Sequence, residues 1–170
     1  PEEPATVSGG SIDRSVTPKA ATHREYNPPV PARHRLSNGL DILHVEKRGL
    51  PLVGVGLVVR AGATSDPAGA PGLAHMTAAL LPEGTGTLSS VQISDEMEFM
   101  GSYFDSSASR EHMTISAETL TAHWPRALEI MADVARNATF PPRELERVRN
   151  EHLADLRRIG DDPVAIAGRA

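Results

Sequence analysis

No cysteine occurs anywhere in the 170 residues. Disulfides, thiolate zinc sites and a cysteine nucleophile are therefore excluded, while the compartment stays open because both redox environments accept such chains. Aromatic residues are scarce at 4%, which removes the stacking platforms that single-stranded nucleic acid needs. No basic run offsets the net charge of -5, so a nucleic-acid surface is not expected. No apolar run approaches the roughly 18 residues of a membrane span. A start methionine is missing as well: the chain opens on Pro1, as a processed or cut piece does, and shows no signal peptide.

What is present begins with a leader. Residues 1–31 are Pro, Ser, Thr, Ala and charge without an apolar period, a composition expected to be extended or disordered. Its opening PEEPATVSGG resembles the tether that follows a removed export signal, and a periplasmic or secreted location is the corresponding expectation. Residues 32–170 read as a single domain, long enough to bury a core.

Short alternating segments flank Ser37-Asn38-Gly39, and an Asn-Gly step between such segments predicts a hairpin because both residues accept positive φ. Val53, Val55, Leu57 and Val59 alternate with Gly54, Gly56 and Val58, the pattern expected of a central strand with one face on a core. A Gly- and Pro-rich loop over 61–71 then leads into GLAHMTAALLPEGT, residues 72–85, where Leu73, Met76, Leu80 and Leu81 recur at helical spacing. Pro71 suits its first turn and Gly84 its end.

Ser89 and Gln92 have the form of a capping box for a second helix, with Ile93, Met97 and Met100 as its buried stripe and Gly101 as its stop. Strands are predicted over 102–107 and 112–118, the second turning Met113, Ile115 and Ala117 inward and His112 outward. A third helix over 122–137 carries Trp124, Leu128, Met131 and Ala135 on one side. After Phe140-Pro141-Pro142, a fourth runs to Ile159 with the stripe Leu145, Val148, His152, Leu156 and Ile159. Arg143, Glu144, Glu146, Arg147 and Arg149 read as its solvated, ion-paired face. Strands, two helices, strands and two helices predict an α+β fold, an antiparallel or mixed sheet with helices on one face.

The run GLAH followed by GT, with LSNGL at 36–40 and VRAGATSDPAGAPG before the helix, resembles the insulinase/pitrilysin family of metallopeptidases, whose zinc motif is H-x-x-E-H. The resemblance extends from about Arg33 to the chain end and implies the same α+β fold. His75 then holds the first ligand position, but Ala78 stands at the general base and Ala79 at the second ligand. The family's third ligand, a Glu on a later helix, corresponds by counting to Asp155, and a further carboxylate corresponds to Val148. A catalytic zinc needs three protein ligands, and loss of the base alone costs about 10²- to 10⁴-fold in rate. No catalytic residue and no zinc are therefore expected, with His75 and Asp155 as relic positions.

Two alternatives stay open. His152 lies on the same helical face as Asp155, so His75, His152 and Asp155 would make a substitute zinc site; or the chain is an assembly domain without peptide contact. The resemblance further implies that Ser102, Tyr103, Phe104, Asp105, Ser106 and Ser107 form a sheet edge on which an extended peptide is laid. The expected partners are peptide substrates and a homologous active subunit or second domain, the chain being a non-catalytic subunit that completes a peptide chamber.

Overall fold

A computed structural model of the chain describes residues 27–161. Most of the leader expected to be disordered lies outside them; residues 27–31 are exposed and lack regular structure. Contacts divide the chain between Lys47 and Arg48.

In the first unit, β1 (Ala32–Arg35) and β2 (Asp41–His44) pair antiparallel from Ala32 opposite His44 to Arg35 opposite Asp41. The connection closes where Gly39 adopts φ 89° and Asn38 Oδ1 accepts from the Leu40 amide at 3.1 Å. Arg33 ties the strands with a 3.0 Å ion pair to Asp41.

The second unit runs β3 (Leu52–Val59), α1 (Leu73–Leu80), α2 (Ser90–Phe99), β4 (Tyr103–Ala108), β5 (Met113–Leu120), α3 (Trp124–Asn137) and α4 (Pro142–Gly160). Its sheet has the order β3-β5-β4, antiparallel throughout. Here one expectation is corrected: among the described residues β3 is an edge and β5 is the centre. Alternation reports that a strand has one buried face, not how many neighbours it has, and both β3 and β5 alternate.

Helices cover one face of this sheet. Met113, Ile115 and Ala117 of β5 meet Ala78, Leu81, Ile93, Met97, Ile130, Met131 and Val134 in one apolar cluster. Each large side chain fully buried there contributes about 1.5–3 kcal/mol against exposure. Three helical stripes differ from the sequence reading. In α1, Leu73 is 49% exposed, while Ala74 and Ala78 join Leu80 in the interior. In α3, Ala127, Ile130, Met131 and Val134 are buried and Trp124 is exposed. In α4, Val148 is buried, but Leu145 and Leu156 are exposed. Small alanines face inward because the sheet and α1 approach closely: Ser106 Oγ of β4 donates to the Ala78 carbonyl at 2.6 Å.

The ends of α2 follow the sequence. Ser89 Oγ accepts from the Gln92 amide, Gln92 Oε1 accepts from the Ser89 amide, and Gly101 closes the helix at φ 59°. The start of α1 does not. Pro71 precedes the helix rather than entering it, Gly72 is the cap at φ 91°, and the acceptor is Asp66, whose carboxylate takes the amides of Gly72 and Ala74, each at 2.8 Å. The helix is also shorter than predicted, passing at Leu81–Glu83 into a 3₁₀ turn that stops at Gly84, φ 140°.

Candidate functional site

Two features of α1 meet the rest of the molecule, and adjacent residues serve them. Ala78 is 1% exposed and belongs to the core cluster. Ala79 lines an open groove of about 800 Å³. The groove runs beside β4 at Ser102, Tyr103, Phe104, Asp105 and Ser106, is walled by α2 at Val91, Ser94 and Met97, and ends at Glu83, Glu144 and Arg147. Strand β4 begins at Tyr103 rather than Ser102 and continues through Ser107 to Ala108. Ser102 instead donates to Thr119 Oγ1 at 2.6 Å, which satisfies a hydroxyl on the buried face of β5.

Among the described residues β4 pairs on one side only, with β5. Backbone groups on its other side are the kind that receive an added strand. Phe104 and Ala108 pack on the core, and Ser106 bonds to α1, while Tyr103 projects to the other face of the sheet, 65% exposed. At the end of the groove, Arg147 binds Glu83 at 2.6 Å, Glu144 at 2.7 Å and Glu151 at 2.9 Å. Those carboxylates, Glu83 foremost, hold its guanidinium above the ordinary arginine range. In turn Arg147 holds Glu144 below the usual carboxylate range. The pairs to Glu144 and Glu151 follow the helical spacing expected from the sequence. The pair to Glu83 bridges α4 to the 3₁₀ turn that follows α1 and had no sequence signal, since a spacing of that length reports nothing about proximity.

The positions corresponding to a metal site are arranged differently from the count along the sequence. His75 is exposed on α1. Across from it on α4, His152 is half-buried, its Nδ1 3.0 Å from Met76 Sδ, and the His75 and His152 rings have centroids 6.3 Å apart at 54°. Asp155 is 57% exposed and paired to Arg158 at 3.1 Å. Among the described residues no group of three His, Cys, Asp or Glu side chains is placed to hold a metal ion.

Comparison with known proteins places this geometry in context. The family model described as Insulinase (Peptidase family M16) matches residues 42–167. The mitochondrial-processing peptidase subunit beta of Mus musculus is 31% identical over 147 residues, 86% of this chain and 30% of that protein. An uncharacterized zinc protease of Rickettsia bellii is 26% identical over 129 residues, 76% of this chain and 31% of that protein. The crystal structure of the peptidase M16 inactive domain from Pseudomonas fluorescens superposes with a TM-score of 0.75 at 31% identity, over 81% of this chain and 34% of that one. The chain thus spans less than a third of the length of the curated relatives it matches.

Proposed function

Because the chain belongs to the insulinase family, peptidase family M16, we propose that it is a non-catalytic member of it. In this reading the chain holds extended peptides along β4 and completes a peptide chamber beside a homologous subunit that retains H-x-x-E-H. The observation that carries it is the division of labour at Ala78 and Ala79. The position of the family's general base has become part of the core, while the groove beside it stays open. Relatives that are named as a subunit of a peptidase and as an inactive domain support the same reading. The zinc named for another relative does not fit these residues, since two methyl groups replace a ligand and a base and Asp155 is bound to arginine. The reading includes an exported protein, periplasmic or secreted, on the composition of residues 1–31.

The test is binding without turnover. A fluorescent unstructured peptide should gain polarisation with the full chain, remain uncleaved with or without a chelator, and lose binding when alternate peptide nitrogens are N-methylated, because strand addition uses those N-H groups. Chelator-sensitive cleavage abolished by His75→Ala would overturn the reading in favour of an enzyme. Absence of any peptide binding would leave an assembly domain.

A further inference from the structure

Of the two adjacent alanines in α1, only Ala79 reaches the groove: it is half-buried and lines the wall, whereas Ala78 is 1% exposed in the core. A methyl group is the smallest side chain, so the wall is recessed at this point. Around the recess the lining is apolar, with Ile93 and Met97 of α2 and Phe104 of β4. The hydrogen bond from Ser106 Oγ to the Ala78 carbonyl holds this turn of α1 against β4, so the recess lies alongside Phe104 to Ser106.

Residues opposite one another on neighbouring strands share a face of the sheet, and successive residues alternate between faces. Phe104 packs on the core and Ser106 bonds to α1, so both point to the helix-covered face. In an extended peptide added to β4, the side chains beside those two residues therefore enter the groove, while the ones between them turn to the open face. Charge narrows what can enter. Among the groove's lining residues Glu83, Glu98, Asp105 and Glu144 stand against Arg147 alone, which Glu83 and Glu144 already bind; an acidic side chain would lose water beside like charges. Building on the reading that β4 receives an extended peptide, we infer that the recess at Ala79 is a pocket for one bulky apolar side chain of that peptide, and that Ala79 sets its size. The groove of about 800 Å³ has room for such a side chain with its main chain alongside.

The experiment uses fluorescent extended peptides on the full chain, identical except for a central Ala, Leu, Phe or Glu. By polarisation, the Leu and Phe peptides should bind roughly tenfold or more tighter than the Ala peptide, and the Glu peptide weakest. Ala79→Leu fills the recess: the Phe peptide should then lose roughly tenfold or more, while the Ala peptide changes less than about threefold. Leucine is a strong helix former and this position faces the groove, so the variant is expected to fold. Independently of any variant, a peptide with photo-leucine at the central position should crosslink to Ala79, Ile93 or Met97, read by mass spectrometry. Equal affinity of the Ala and Phe peptides, an undiminished Phe preference in Ala79→Leu, or crosslinks confined to Tyr103 and Glu118 on the open face would each overturn the pocket and leave strand addition standing. Absence of binding by all four peptides would remove the peptide-binding reading itself, and the pocket with it.

Discussion

At the scale of single residues, Ala78 and Ala79 show that neighbouring positions of one motif have unequal freedom. A helix turns about 100° per residue, so a groove position and a core position sit side by side. Ala78→Glu would place a carboxylate in the apolar cluster, where it must stay protonated or distort the helix; a loss of about 3 kcal/mol or more is expected. Ala79→His, facing the groove, should change stability by less than about 1 kcal/mol. Urea unfolding of both variants checks the contrast, and equal losses would mean that α1 is rotated from the orientation described. Gly62 offers a second residue-scale case. A Cβ there would lie 2.5 Å from the His112 amide nitrogen and 2.5 Å from the Ser109 carbonyl oxygen. The β4-β5 turn is fastened at that point, with the Ala63 amide donating to Ser109 at 3.0 Å and the Thr64 amide to Arg110 at 2.9 Å. Gly62→Ala is therefore expected to cost about 1–3 kcal/mol through crowding rather than through φ.

At the scale of elements, α1 and α2 start by different means. The cap of α2 is local, from Ser89 and Gln92 three positions apart. The cap of α1 comes from Asp66, six and eight positions before the amides it accepts. Removing it leaves two helix-end donors without their acceptor, so Asp66→Ala should cost about 1–2 kcal/mol. Hydrogen exchange at Gly72 and Ala74 should accelerate while amides of α2 stay protected; uniform acceleration would show that the effect is global rather than a frayed α1. Since α1 presents Ala79 to the groove, that aspartate also fixes the helix that borders it.

At the scale of the whole molecule, acid should loosen joints between distant segments. Asp133 of α3 is held below the usual aspartate range by the hydroxyl of Thr85, the amide of Asn137 and the hydroxyl of Thr87. Glu144 is held low chiefly by Arg147, which also reaches Glu83. Both folded values lie below the unfolded ones, so their stabilisation is complete above the ordinary carboxylate range near about 4 and is lost as pH falls through the lowered values. Urea midpoints should hold steady from pH 7 to about pH 5 and drop below about pH 4, with a shallower drop in Asp133→Asn. A midpoint that fell already between pH 7 and 5 would point to histidines instead.

How much of this could be read without coordinates follows from the range over which each signal acts. The Asn38-Gly39 hairpin, the Ser89 capping box, the Gly101 stop and the α+β alternation depend on residues within a few positions of one another, and composition and spacing determined them. The residues flanking Ala78 and Ala79 likewise placed the chain in its family. The central place of β5, the inward turn of Ala78, the reach of Asp66 to α1 and the Arg147-Glu83 bridge were decided by packing. Each depends on which surface another element covers, and a hydrophobic period shows that a face is buried without naming its neighbour. The same limit separates Asp155 from His152. Counting along the chain reaches Asp155 without reporting its neighbours, whereas the packing of α1 on α4 sets His152 against Met76 and leaves Asp155 paired to Arg158.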